Sequence, residues 1–238
     1  MAAVNPDNLV TVAMKLRELG VRFAFVGGCA LPFIVDTPFA ATIRPTLDVD
    51  VIVEASTPLT FSKLDEQLRS NGFKHDMSVG APRCRWSVKG IKVDIMPASP
   101  DVAEFGSRWF EEAMGALKTH EIEANISVPV IGPSYLLATK MDAFFNRGAG
   151  DYYGSRDLED IIALMEGCSR LIAELQASSA DLRQHVSVQM GRLLDTSAFV
   201  EAVPAHLSRE SPPDTLERVM VIARKIALKP RGSSSAPV

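Results

Sequence analysis

The stretch Val26-Gly27-Gly28-Cys29-Ala30-Leu31, followed by Arg44-Pro45-Thr46-Leu47-Asp48-Val49-Asp50-Val51-Ile52-Val53, decides how this chain reads. A third acid stands in a similar apolar run, Lys92-Val93-Asp94-Ile95-Met96. Side chains two positions apart on a strand share a face, so Asp48 and Asp50 present their carboxylates together. Asp94, on a neighbouring strand, can meet them across the sheet. Acids in apolar strands are costly to fold around unless a cation neutralises them. Hard oxygen ligands gathered near a strand end suit one or two Mg²⁺ ions. In a two-metal arrangement Asp48 and Asp50 would bridge both ions, and Asp94 would ligate the ion nearest the attacking group.

Gly27-Gly28 supplies the other half. Without a Cβ the backbone approaches phosphate closely, and the N-terminus of a following helix offers free N–H groups. Cys29 takes a place where serine would also be common. Each piece alone has a plain structural reading, the glycines as a turn and the acids as a solvated strand edge. A solvated edge does not explain why Asp48 and Asp50 interrupt an otherwise apolar Val-Ile-Val strand.

Around this stretch, helical spacing over 7–19 ends at Gly20, and 21–26 reads as a strand. A short helix is expected over 29–34, with Pro32 tolerable only in its first turn. A loop over 36–44, a strand over 48–54 and a helix over 56–70 follow. Residues 82–88 and 91–96 form two strands around a Lys89-Gly90 hairpin turn. A helix over 109–114 and a strand over 128–131 complete the first half. The remainder is helical: 135–146 capped by Ser134, a helix capped by Ser155 running to 166, then 181–194 and 215–228. The expected fold is therefore α/β (α+β): a small mixed sheet flanked by helices over 1–132, a helical C-terminal region over 133–228, and a tail over 229–238 that is flexible by composition.

With 238 residues, 47% hydrophobic and 23% charged, the chain has an ordinary globular composition. Its net charge of −4 argues against a passive nucleic-acid coat. The longest apolar runs are too short to span a membrane, and the N-terminus lacks the pattern of a secretory signal. Three scattered cysteines fit neither a zinc site nor a disulfide scaffold. The expectation is a cytoplasmic protein without a membrane partner.

The glycine pair, the Asp-x-Asp and the later strand aspartate together resemble the nucleotidyltransferase fold of the polymerase-β superfamily. Arg44-x-Thr46-x-Asp48-x-Asp50 is similar to the second motif of the AbiEii/AbiGii-type toxins. Leu137-Ala138-Thr139-Lys140-Met141-Asp142-Ala143-Phe144-Phe145-Asn146-Arg147, continuing with Arg156-Asp157-Leu158-Glu159-Asp160-Ile161, resembles their fourth motif. The resemblance covers about residues 21 to 166. It implies an NTP substrate held by Gly27, Gly28, Cys29, Arg44, Thr46, Lys140, Arg147, Asp157 and Asp160. Lys140 joins Asp48, Asp50 and Asp94 among the catalytic residues, with Mg²⁺ on the three strand aspartates. It further implies a toxin of a toxin–antitoxin or phage-defence system, with tRNA or another RNA as acceptor and a cognate antitoxin as partner. Two alternatives stay open: an antibiotic-type transferase with a small-molecule acceptor, and a catalytically silent binding subunit. Lys140 and Arg147 can also be read as ion-pair partners of Asp157 and Asp160 between packed helices.

Arg83, Arg85, Lys89 and Lys92 cluster on the hairpin and read either as a solvated face or as a guide for RNA or polyphosphate. Tyr152 and Tyr153 read as packing residues or as a base-stacking pair. His75, His120, His185 and His206 lack ligand spacing and are assigned to no metal.

Overall fold

Lys89 and Gly90 both adopt positive φ, 48° and 80°. That is the twist with which two residues join antiparallel strands. The turn sets Val88 opposite Ile91 and, three pairs along, Arg85 opposite Asp94. In the computed structural model, which describes residues 5–36, 39–102, 106–123, 125–148 and 150–228, this hairpin is part of a seven-stranded mixed sheet. The expected tail, 229–238, lies outside the described residues.

The first of two compact units, Met1–Thr139, carries the sheet. Its elements are α1 (Pro6–Glu18), β1 (Phe23–Val26), α2 (Gly27–Ile34), β2 (Val49–Val53), α3 (Pro58–Ser70), β3 (Lys74–His75), β4 (Arg85–Val88), β5 (Ile91–Pro97), α4 (Phe110–Met114), β6 (Lys118–Glu123) and β7 (Ile126–Val130). Strand order is β3-β4-β5-β2-β1-β7-β6. The β2–β5 and β1–β7 pairs are parallel, and the rest are antiparallel. The centre is apolar on both faces: Phe25, Val51, Ile52, Val53, Val93 and Ile95 are fully buried. Burying side chains of this kind stabilises by roughly 1.5–3 kcal/mol each. The acids sit where that apolar run stops, Asp48 just before β2 and Asp50 as its second residue.

α5 (Pro133–Ala143) crosses the unit boundary and ends in a π-type turn, Phe144–Gly148. The second unit, Lys140–Val238, holds α6 (Arg156–Gly167), α7 (Leu171–Ala177), α8 (Ala180–Leu194), α9 (Ser197–His206) and α10 (Thr215–Ala227). α10 packs on α6, α7 and α8 through Val219, Met220, Ala223 and Ile226, which recur at helical spacing and are buried. Ser155 caps α6, its hydroxyl accepting the Leu158 N–H at 3.3 Å.

Several expectations change in detail. Ser134 is not a cap: α5 starts at Pro133, and the Leu136 N–H reaches the Gly132 carbonyl. Proline suits such a first position because its missing donor is not needed there. Pro32 lies beyond the first turn of α2, which ends two residues later. β3, β6, α7 and α9 were not anticipated. Among the described residues, no helix is long and apolar enough to cross a membrane.

Candidate active site

Asp50 and Asp94 are register partners on the parallel strands β2 and β5. Asp48 lies in the bend just before β2, which starts one residue later than expected, and Arg85 Nη2 bridges its Oδ2 to Asp94 Oδ2. The structure therefore brings all three sequence-predicted acids to one end of the sheet. Asp94 is buried, and Asp48 and Asp50 are half-buried.

Gly27 makes room for this cluster. Its φ is +63°, and a Cβ there would lie 2.1 Å from Asp50 Oδ2. No side chain fits that gap, and a left-handed φ would strain one in any case. The glycine expected to let phosphate approach thus first lets the Asp50 carboxylate lie against the β1–α2 junction.

Arg85 is the residue whose part in the site the sequence did not disclose. Its Nε donates to Asp94 Oδ1 at 2.7 Å, and its Nη2 donates to Asp94 Oδ2 at 2.7 Å and to Asp48 Oδ2 at 2.6 Å. This is a fork on one carboxylate with a bridge to a second. Hydrogen bonding to Asp94 raises the guanidinium's pKa against the opposing effect of burial, with the charges of Asp94 and Asp48 adding to the rise. It stays charged at any working pH. Arg85 is therefore not part of a solvated face, whereas Arg83 lies outside the strand and is exposed. The Cys84 thiol is pushed up to about 12, first by burial and then by the charges of Asp94 and Asp50, so it remains protonated.

The donor set, three carboxylates at one end of the sheet, is of the hard-oxygen type that Mg²⁺ takes. Among the described residues, however, no three His, Cys, Asp or Glu side chains converge into a ready-made ligand cage. Two of the three acids are engaged by Arg85. The residues fit a divalent cation in kind, and a cation would have to compete with Arg85 for them.

The turn residues gather on a cavity of about 280 Å³ lined by Gly28, Cys29, Arg44 and Thr46, with Leu9 and Phe33 among its apolar walls. The Thr46 hydroxyl donates to Asp48 Oδ1 at 3.2 Å, tying this wall to the acids. The Cys29 thiol turns to the backbone, donating to the Val26 carbonyl at 3.1 Å.

In the second unit, Lys140 Nζ lies 3.1 Å from Asp157 Oδ1 and 2.6 Å from Asp160 Oδ2. Arg147 Nε donates to Asp157 Oδ2 at 3.1 Å. Burial works to raise the Asp157 carboxyl, but Lys140 and Arg147 outweigh it and hold its pKa below the usual carboxylate range. These four residues come together as the ion-pair reading expected. Tyr152 packs against the ring of Phe144 at 5.4 Å, and Tyr153 is exposed. His185 pairs with Asp142 at 2.7 Å.

No protein-family model matches the chain, and no curated protein matches its sequence. Solved structures do resemble it. One is an antigenic nucleotidyltransferase-like protein from Paracoccidioides brasiliensis, 20% identical, covering 87% of this chain and 97% of its own with a TM-score of 0.49. JHP933 from Helicobacter pylori is 14% identical, covering 93% and 89%, with a TM-score of 0.48. A lincomycin-bound lincosamide antibiotic adenylyltransferase, LnuA, is 15% identical, covering 68% and 98%, with a TM-score of 0.39. Likenesses of this order carry neither residue roles nor substrates across. The chain's own feature remains a helix-flanked mixed sheet with three acids and one arginine at the end of a glycine turn.

Proposed function

We propose that this chain is a metal-dependent nucleotidyltransferase that moves a nucleotide from an NTP to a hydroxyl acceptor. The observation that carries the reading is the shared sheet face of Asp50 and Asp94, with Asp48 joined to Asp94 through Arg85 and a glycine that leaves space for Asp50. A divalent cation bound there would neutralise the triphosphate and stabilise charge on the transferring group. The acids are its holders. The Gly27-Gly28 backbone and the cavity lined by Arg44 and Thr46 receive the nucleotide. The acceptor oxygen attacks the α-phosphorus, the bond to the β-phosphate's bridging oxygen breaks, and pyrophosphate leaves. The acceptor's proton passes to a base, a part we give to Asp94 once Arg85 has left it. In-line alignment of the three centres supplies much of the acceleration.

For the acceptor we favour tRNA or another RNA, with the protein acting as the toxin of a toxin–antitoxin or phage-defence pair. The support is the pattern Arg44-x-Thr46-x-Asp48-x-Asp50 with Lys140 and Arg147 downstream. A second reading, a catalytically silent binding subunit, is favoured by one observation: Arg85 already satisfies two of the acids.

Incubation with total RNA, Mg²⁺ and each α-labelled NTP separates these readings. Labelled RNA, absent with Asp48→Asn, is the expected result. Label on an added aminoglycoside or lincosamide but not on RNA would move the acceptor to a small molecule. No label on any acceptor would support the silent subunit.

A further inference from the structure

Arg85 meets the acids with the geometry of a ligand. Three donor contacts of 2.6–2.7 Å engage three carboxylate oxygens, two on Asp94 and one on Asp48. The guanidinium is shielded, with 17% of its side chain exposed, and register fixes its Cα directly opposite that of Asp94. Three carboxylates at one end of the sheet repel one another unless a positive charge stands among them. One guanidinium supplies that charge within the chain itself. Charge-assisted hydrogen bonds of this kind are among the stronger polar contacts. The same oxygens are the ones a hard divalent cation would take, and an oxygen held by a short N–H donor is not free to ligate. The guanidinium cannot leave by losing its proton, so it leaves only by swinging away. Its long side chain allows that without disturbing the β4–β5 ladder.

We propose that Arg85 is a built-in counter-ion: it occupies Asp48 and Asp94 while no metal is bound, is displaced when a divalent cation arrives, and thereby sets how tightly the site takes metal. The inference rests on the metal reading of the three acids. It makes Arg85 a positioning residue. It keeps the carboxylates gathered, and it raises the cation concentration at which the site loads.

The test is Mn²⁺ binding, followed by the electron-spin-resonance signal of the free ion, for the wild-type chain, Arg85→Gln and Asp94→Asn. Arg85→Gln is expected to bind Mn²⁺ about tenfold to a hundredfold more tightly, the range set by losing hydrogen bonds to charged groups. Asp94→Asn is expected to lose binding. Melting curves give a second readout: Arg85→Gln should melt lower than wild type in chelator and gain more from added Mn²⁺. Arg85→Lys keeps a positive charge but not the fork, and it should fall between the two. It serves as the comparison where Arg85→Gln does not fold. Wild type that binds Mn²⁺, with folded Arg85 variants binding no more tightly, overturns the counter-ion inference and leaves the metal reading standing. Wild type and Arg85→Gln both failing to bind at millimolar Mn²⁺ overturns the metal reading and the inference with it.

Discussion

Among the described residues, two sites have one cation bridging two aspartates, and they differ in what surrounds them. Arg85 bridges Asp48 and Asp94 at the end of the sheet, where the Asp48 side chain keeps 31% of its exposure. Lys140 bridges Asp157 and Asp160 among helices, where the Asp160 side chain keeps 2%. Low exposure makes an ion pair expensive to break, because the abandoned charge stays out of water. Partial exposure makes an ion pair exchangeable, because water or another ion can replace the lost partner. The same arithmetic of charges therefore reads as scaffold in the second unit and as a replaceable occupant in the first.

The largest expected effect breaks the buried pair. Lys140→Met leaves Asp157 and Asp160 without their shared cation and should destabilise the protein by about 3–5 kcal/mol, measured as a fall in the urea midpoint with an unchanged slope. Arg85→Gln should cost clearly less, about 1–3 kcal/mol, and Mn²⁺ should restore part of it. If the two substitutions cost the same, the distinction between scaffold and replaceable occupant is lost.

Next comes the glycine that seats Asp50. Gly27→Ala drives a Cβ into the Asp50 carboxylate at 2.1 Å and imposes an L side chain on a φ of +63°. A shift of the carboxylate by about an ångström should lower nucleotide transfer by about a hundredfold, while circular dichroism retains the native spectrum. Transfer at the wild-type rate would show that Asp50's position does not matter.

The smallest effects sharpen the buried side. Arg147 is largely exposed, its side chain at 72%, so Arg147→Ala should cost about 1 kcal/mol or less at neutral pH. Its signature lies in acid. The folded Asp157 carboxyl is depressed, so its stabilisation is complete above the ordinary carboxylate value of about 3.9. It is lost as the pH falls through the lower folded value. Removing Arg147 raises the folded value, and acid unfolding followed by helical circular dichroism should begin at higher pH. An unmoved acid transition would mean that Arg147 does not help hold Asp157 ionised.

Much of the acid site was legible because it is written in periods and turns. Asp48-x-Asp50 marks the start of an apolar strand, and the two-residue period sets Asp50 on one face of it. Arg85 as a partner of Asp94 was within reach too. A two-residue Lys89-Gly90 turn forces Val88 onto Ile91, and counting back along both strands sets Arg85 against Asp94. The turn residues signal the hairpin, and only the register followed to its side chains names the pair. Other elements gave weaker signals. β6, Lys-Thr-His-Glu-Ile-Glu, is an edge strand of mostly polar residues, so it shows no apolar alternation. α9 carries Pro204, which reads as a break. The Cys29 thiol's contact with the Val26 carbonyl three residues back is a local back-bond, open to any thiol or hydroxyl in the first turn of a helix and so without a signature of its own.

The central claim is that Asp48, Asp50 and Asp94 form a metal–nucleotide site from which Arg85 withdraws. The most direct test is a crystal of the protein grown with Mn²⁺ and a non-hydrolysable NTP, examined by anomalous diffraction. The account predicts a manganese peak about 2.0–2.3 Å from oxygens of these carboxylates, with the guanidinium moved off Asp94. Crystals containing the nucleotide elsewhere, with no peak at the acids and Arg85 still bridging Asp48 and Asp94, would contradict it.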